Sequence, residues 1–263
     1  MNRWARYALL FSAASVLAAN AAFAEDETGW SGEVAASLSA QTGTTDTVLA
    51  TVDANTTRAW EKDTAALRFS GSYGTTRKRP DGEDEATQNA QALYGDWKRI
   101  IHDRFFWNGG SELSRDQIQD RDVRFAINTG PGYRFWEGES AQAEHFDVAF
   151  GVGYRYERYD PDTAPGDPDR GRADQYNLAD LVASFEYKNN LFEDRIEWTH
   201  TGSAKMPAND VNAYVLTTEA IAGLPLTEAW SLRISFFVEY LKTQPKQVNN
   251  LTTRTTLGLG YKF

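Results

Sequence analysis

The chain has 263 residues, 37 of them acidic and 27 basic, for a formal net charge of −10. That balance argues against nucleic acid or an anionic lipid surface as a partner. With no cysteine anywhere, neither a disulfide framework nor a thiol-linked lipid anchor is available.

Arg3 and Arg6 precede an apolar stretch from Tyr7 to Ala19 and then Ala22-Phe23-Ala24, the small-x-small form cut by a signal peptidase. Residues 1–24 are therefore expected to be a cleaved signal peptide and residues 25–263 a single barrel domain. Loss of Arg3 and Arg6 leaves 25 basic residues against 37 acidic ones, a charge of −12. The apolar stretch is short for a membrane anchor and is broken by Ser12 and Ser15. Beyond it no apolar run approaches the ~18 residues of a transmembrane helix, which excludes a helical membrane protein.

Period-two alternation between turn-forming residues predicts twelve strands, at about residues 30–41, 47–60, 64–77, 87–97, 105–115, 123–135, 146–157, 175–188, 195–201, 210–224, 232–240 and 251–263. The seventh is the clearest. Phe146, Val148, Phe150, Val152, Tyr154 and Tyr156 share one face, and Asp147, Ala149, Gly151, Gly153, Arg155 and Glu157 share the other. On this alternation a small polar side chain at Gly151 should be tolerated, and a charge at Phe150 should not. The turns at 61–63, 98–104, 137–144, 189–194 and 225–229 are compact, whereas 78–86 and 160–174 are long and charged. Short turns at one end and long ones at the other are the habit of an antiparallel transmembrane β-barrel, all-β, with about 12 strands.

Trp30, Trp60, Trp97, Trp107, Trp136, Trp198 and Trp230 fall near the short-turn ends, where an amphipathic ring prefers the headgroup layer. Tyr73, Tyr154, Tyr156, Tyr159, Tyr176, Tyr214 and Tyr240 lie nearer the other ends and suggest a second girdle. The chain closes on Leu259, Tyr261 and Phe263, one face of the last strand. These three are expected to form the signal read by the barrel-assembly machinery.

The inward face is expected to carry Arg68, Arg124, Arg134, Arg155, Arg195, Arg233 and Arg254 against Glu157, Glu186, Glu197, Glu219 and Glu239. Two readings stand side by side. One is an interior packed with ion pairs, since a buried charge without a partner is costly. The other is a narrow polar pathway whose arginines favour small polar or anionic solutes. Asp160, Asp162, Asp167 and Asp169, and Asp81, Glu83, Asp84 and Glu85, crowd two loops without the spacing of a calcium site. Solvated loops are the better reading, with no metal and no cofactor. Among His102, His145 and His200, only His200 with Ser203 suggests a catalytic pair, and a barrel enzyme acting on lipid or peptide is the alternative reading. A third reading is a soluble periplasmic barrel that turns Phe146, Val148 and Phe150 inward around an apolar ligand.

Trp30-Ser31-Gly32, Asp103-Arg104-Phe105, Gly130-Pro131-Gly132-Tyr133-Arg134-Phe135, Arg155-Tyr156-Glu157-Arg158-Tyr159-Asp160 and the closing Tyr261-Lys262-Phe263 carry a resemblance to the YdiY-like family of salt-inducible outer-membrane proteins, domain of unknown function family 481. Gly43-Thr44 stands where that family usually has Gly-Asn. The resemblance implies a bacterial outer-membrane barrel among outer-membrane lipids and brings no settled activity. The expected role is a monomeric small-solute channel or an envelope barrel of salt stress.

Overall fold

The structure, a computed structural model, describes residues 29–41, 45–78, 84–118, 121–138, 144–159, 174–211, 213–242 and 251–263. The signal-peptide segment and most of the two acidic loops lie outside these residues. Twelve strands follow one another: β1 (Ser31–Gln41), β2 (Thr45–Ala59), β3 (Asp63–Lys78), β4 (Asp84–His102), β5 (Phe105–Asp116), β6 (Arg121–Glu137), β7 (His145–Tyr159), β8 (Asp174–Leu191), β9 (Ile196–Pro207), β10 (Val215–Pro225), β11 (Trp230–Leu241) and β12 (Leu251–Lys262). Each pairs antiparallel with its sequence neighbours, and β1 pairs with β12, so the sheet closes on itself. Closure gives every strand two ladder partners.

Alternation decides which side chain goes where. Phe150, Val152, Leu181, Ile127 and Leu257 stand on the outer wall, while Arg124 and Arg155, on the same strands as some of them, are almost wholly buried inside. The soluble-barrel reading is therefore overturned, because Phe146, Val148 and Phe150 point away from the interior. Five register shifts modulate the pattern. Two of them lie in β6. The one between Arg121 and Val123 resets the phase, so Arg121 joins Arg124 inside although the two are three apart. The one between Arg134 and Trp136 leaves Phe135 and Trp136 both exposed.

The Gly-Pro-Gly segment of β6 has a steric reason. A Cβ on Gly130 would meet the Phe150 carbonyl oxygen and the Gly151 Cα, and one on Gly132 would run into the Phe106 ring, which is buried inside the barrel. Gly151 faces the same squeeze from the other side, where a Cβ would run into the Thr129 carbonyl oxygen. The expectation that a side chain at Gly151 is harmless is thus wrong: the strands approach too closely there, a constraint that alternation does not encode.

The largest boundary shifts are three. β4 runs on to His102, leaving only Asp103 and Arg104 as a turn, with Asp103 at φ 44°. β9 extends to Pro207 rather than stopping near Thr201, and β10 begins at Val215 rather than near Asp210. The seven tryptophans do gather at the short-turn end. Of the seven tyrosines, Tyr159 and Tyr176 turn inward: Tyr159 is buried, and Tyr176 faces its ring at 5.9 Å from the position opposite Glu157.

Replacing Phe150 by Arg puts a charge on the apolar wall, at a cost of about 2–4 kcal/mol near a bilayer midplane. Gly223→Ala adds a methyl with nothing nearer than 3.6 Å. Heat-dependent gel mobility of membrane fractions should show strongly reduced folded protein for Phe150→Arg and near-normal amounts for Gly223→Ala; the reverse order would mean the two faces are misassigned.

Candidate functional site: the charged interior

The inward side chains fill the interior with charge clusters and separate ion pairs rather than lining a pipe. Arg124 is the hub of its upper part, toward the end with the longer connections. Its Nε donates to Glu157 Oε1 at 2.7 Å, its Nη1 donates to Glu239 Oε2 at 2.9 Å, and Glu112 Oε1 lies 3.6 Å from Nη1. Glu239 belongs to β11, and four strands separate it from β6 the shorter way round, so this contact crosses the lumen. Lys205 on β9 crosses likewise to Glu112 on β5 at 2.8 Å. Arg155 grips Asp180 with two hydrogen bonds, at 2.9 and 3.1 Å, and donates to Glu157 at 2.9 Å and to the Ala213 carbonyl at 2.8 Å. The Tyr159 hydroxyl completes the cluster by donating to Glu157.

A lower cluster sits near the short-turn end. Arg134 binds Asp147 through Nε and Nη2 at 2.8 and 3.0 Å. Lys98 reaches from β4 to Asp147 on β7 and Glu186 on β8, at 2.7 and 3.0 Å. Lys188 holds the other Glu186 oxygen at 2.9 Å. His145, Asp147 and Glu186 bring potential metal-ligand atoms within 4.8 Å of one another. Charge argues against a cation there: Lys98, Arg134 and Lys188 already neutralise the carboxylates, and the Lys98 ammonium occupies the space between two of them.

On the remaining wall Arg68 crosses from β3 to Glu219 on β10 at 2.9 Å while lying over the Tyr94 ring at 4.5 Å. Arg233 pairs with Glu33 at 2.7 Å, and Lys262 with Glu197 at 2.5 Å. Arg254 differs. It stacks over Phe237 at 5.1 Å, and its nearest polar partner is Ser70 Oγ at 3.5 Å, with no carboxylate bound among the described residues. Beside it the filling is incomplete: a cavity of about 80 Å³, bounded by Asp53, Arg68, Tyr94, Arg121, Phe237 and Arg254, has room for a few waters. The Arg121 Nε, buried at its edge, has no hydrogen-bond partner.

Eleven of the twelve expected inward charges are brought together in this interior. Arg195 is not: it sits exposed in the β8–β9 turn, because β9 begins one residue later. Sequence reasoning missed Lys98 by assigning it to a turn and Lys205 by ending β9 too soon. It also missed Glu112 and Asp180, whose strands showed weak alternation, and did not carry Asp147 forward although its face was visible. The His200–Ser203 pair is split by the same alternation. His200 faces outward, edge-on to Phe185 and bonded to Thr218 Oγ1 at 2.9 Å, whereas Ser203 points inward to Thr217 at 2.6 Å.

A family model described as "Protein of unknown function, DUF481" matches residues 34–263, and the chain belongs to that family. No curated protein matches the sequence. Similar solved structures include the translocator domain of the autotransporter NalP from Neisseria meningitidis, at 12% identity over 98% of this chain and 96% of that one, with a TM-score of 0.49. Others are an outer membrane channel from Pseudomonas putida F1, at 12% identity, coverages of 92% and 98% and a TM-score of 0.45, and the NanC porin, at 12% identity, 89% and 99%, and 0.44.

Breaking the best-buried grip should be costly. Arg155→Met strands Asp180 without its guanidinium and should destabilise the folded barrel by about 3–5 kcal/mol. Lys262→Met removes a half-exposed pair and should change stability by no more than about 1 kcal/mol. Urea unfolding in detergent micelles, followed by tryptophan fluorescence, distinguishes them; equal effects would show that burial of the interior charges is not what sets their worth.

Proposed function

From membership of this family and the apolar outer wall, we propose that the protein is an outer-membrane barrel whose lumen is closed, in the state described, by ion pairs that cross it. It acts as an envelope barrel with a narrow, gated polar path for small polar or anionic solutes rather than as an open diffusion pore, and it is not an enzyme. The observation that carries this reading is the set of transverse contacts Arg124–Glu239, Lys205–Glu112 and Arg68–Glu219, which tie opposite walls together at hydrogen-bond distance. An open pore keeps such charges on the wall and hydrated, because hydration is cheaper than pairing across a gap.

Several further elements belong to the same reading. The tryptophan ring at the short-turn end anchors the barrel at the periplasmic headgroups among outer-membrane lipids. Residues 1–24 direct export and are removed. Leu259 and Tyr261 stand exposed on the outer wall, and Phe263 exchanges two 3.0 Å backbone hydrogen bonds with Gly32, so the expected assembly signal is also the clasp between the first and last strands. Deletion of Phe263 alone should sharply reduce heat-modifiable protein in the outer membrane; unchanged assembly would mean the terminus is an ordinary frayed end.

Conductance in a planar bilayer tests the closure. The wild-type protein should give no sustained porin-sized steps. Replacing both members of two crossing pairs, Arg124→Gln with Glu239→Gln and Lys205→Gln with Glu112→Gln, removes the ties with no change in net charge and should produce stable steps. Steady large steps from the wild-type protein would contradict the reading.

A further inference from the structure

The seam that closes the barrel is not closed along its whole length. The β1–β12 ladder runs from Glu33↔Lys262 to Ala36↔Leu259 and is extended by the reciprocal Gly32–Phe263 bonds. Above it, toward the longer connections, Ser37–Gln41 pair with β2 alone and Leu251–Gly258 with β11 alone. Just beyond the ladder the strands are still close at Gly258, where a Cβ would lie 2.5 Å from the Ala36 carbonyl oxygen. Past this point the two strands share no ladder pair among the described residues. On a wall that faces hydrocarbon, such an edge is expensive unless something polar reaches it from inside or something fills the gap.

What lies on either side of the split is informative. Outside, Leu38 and Leu257 flank it and are 74% and 59% exposed, the more exposed members of their strands. Inside, a small void lined by Ser37, Asp53, Arg233, Thr256 and Gly258 abuts the seam. Asp53 and Arg233 also line the 80 Å³ cavity, which contains the one interior arginine described with neither a carboxylate nor a full hydrogen bond, Arg254. Arg254 is on β12 itself, three residues before Leu257, and faces inward where Leu257 faces out. An inward arginine with no bound carboxylate, a seam with no ladder pair and an apolar flank outside thus belong to the same stretch of β12.

We propose that the upper half of the β1–β12 seam binds a single-chain anionic amphiphile, a fatty-acid-like carboxylate. Its head rests on Arg254 in the cavity and its acyl chain leaves between Leu38 and Leu257 into the bilayer. The inference rests on the membrane reading above. A carboxylate gives Arg254 the paired, charge-assisted contact that the other interior arginines already have. The acyl chain covers the gap that the ladder leaves. A single chain fits one unpaired stretch between adjacent strands, and a neutral head has no reason to prefer Arg254.

The test uses the full-length mature protein reconstituted in phosphatidylcholine vesicles and a palmitate carrying a diazirine in its chain, with labelled peptides mapped by mass spectrometry. Labelling should concentrate on β1 and β12, fall at least tenfold in Arg254→Gln, and fall similarly when the corresponding diazirine alcohol replaces the acid. Because the chain has no cysteine, Leu38→Cys with Leu257→Cys offers a reversible clamp that leaves every interior charge in place. Oxidation should abolish seam labelling and reduction restore it, whereas a clamp across β10 and β11, Leu216→Cys with Tyr240→Cys, should not matter. If the seam clamp does not form, Leu257→Trp fills the same gap and should suppress labelling. Labelling spread evenly round the wall, or seam labelling indifferent to Arg254 and to the blocked gap, overturns the proposal. A heat-modifiable barrel without seam labelling defeats this inference and leaves the membrane reading standing; a protein that never enters the bilayer defeats both.

Discussion

A guanidinium held by carboxylates from different strands organises this barrel. Arg124 binds Glu157 on the neighbouring strand and Glu239 on the far wall, with Glu112 just beyond. Inward side chains in a twelve-strand ring are drawn toward a common axis, and the long ones meet there. Once out of bulk water, each charge must find a partner or leave the fold. Arg155, Lys205, Lys98 and Arg68 repeat the solution at other heights and directions, so the interior is held by contacts perpendicular to the ladders. The outer wall needs no such arrangement, since its alternate residues are simply apolar.

That division explains what could be read from the chain. Strand number, the order of short and long turns, the faces of β6, β7, β11 and β12 and the tryptophan end all follow from alternation, a local property. Partner identity does not. Nothing near Glu239 announces Arg124, which is 115 residues away, because that meeting depends on how the ring closes. Local errors propagated too. Ending β9 at Thr201 removed Lys205 from view, and treating 98–104 as a turn hid Lys98. The two β6 register shifts reassign Arg121 and Trp136 in a way that strict period two forbids. Tyr159 and Tyr176 were misplaced because their nearness to the rim was read without regard to their face.

Glycines mark where the wall is thinnest. Gly130 and Gly151 let β6 and β7 approach backbone to backbone, and Gly132 accommodates the buried Phe106 ring, over which the Lys98 ammonium sits at 5.1 Å. The barrel wall is therefore tightly packed around β6 and β7. The remaining cavity is bordered by the strands from β10 round to β6, and the lightly bound Arg254 and the partly unpaired seam lie within that stretch of the ring.

The central claim is that opposite walls are bound to each other by charge pairs, and a double-mutant cycle on Arg124 and Glu239 measures that bond directly. Unfolding free energies of the wild-type protein, Arg124→Met, Glu239→Gln and the double variant, taken in the same detergent, yield the coupling between the two residues. A favourable coupling of about 1–3 kcal/mol is predicted for a buried, hydrogen-bonded pair. Additive effects, with a coupling within about 0.3–0.5 kcal/mol of zero, would mean that the two side chains do not meet across the lumen and that the closed interior is wrong.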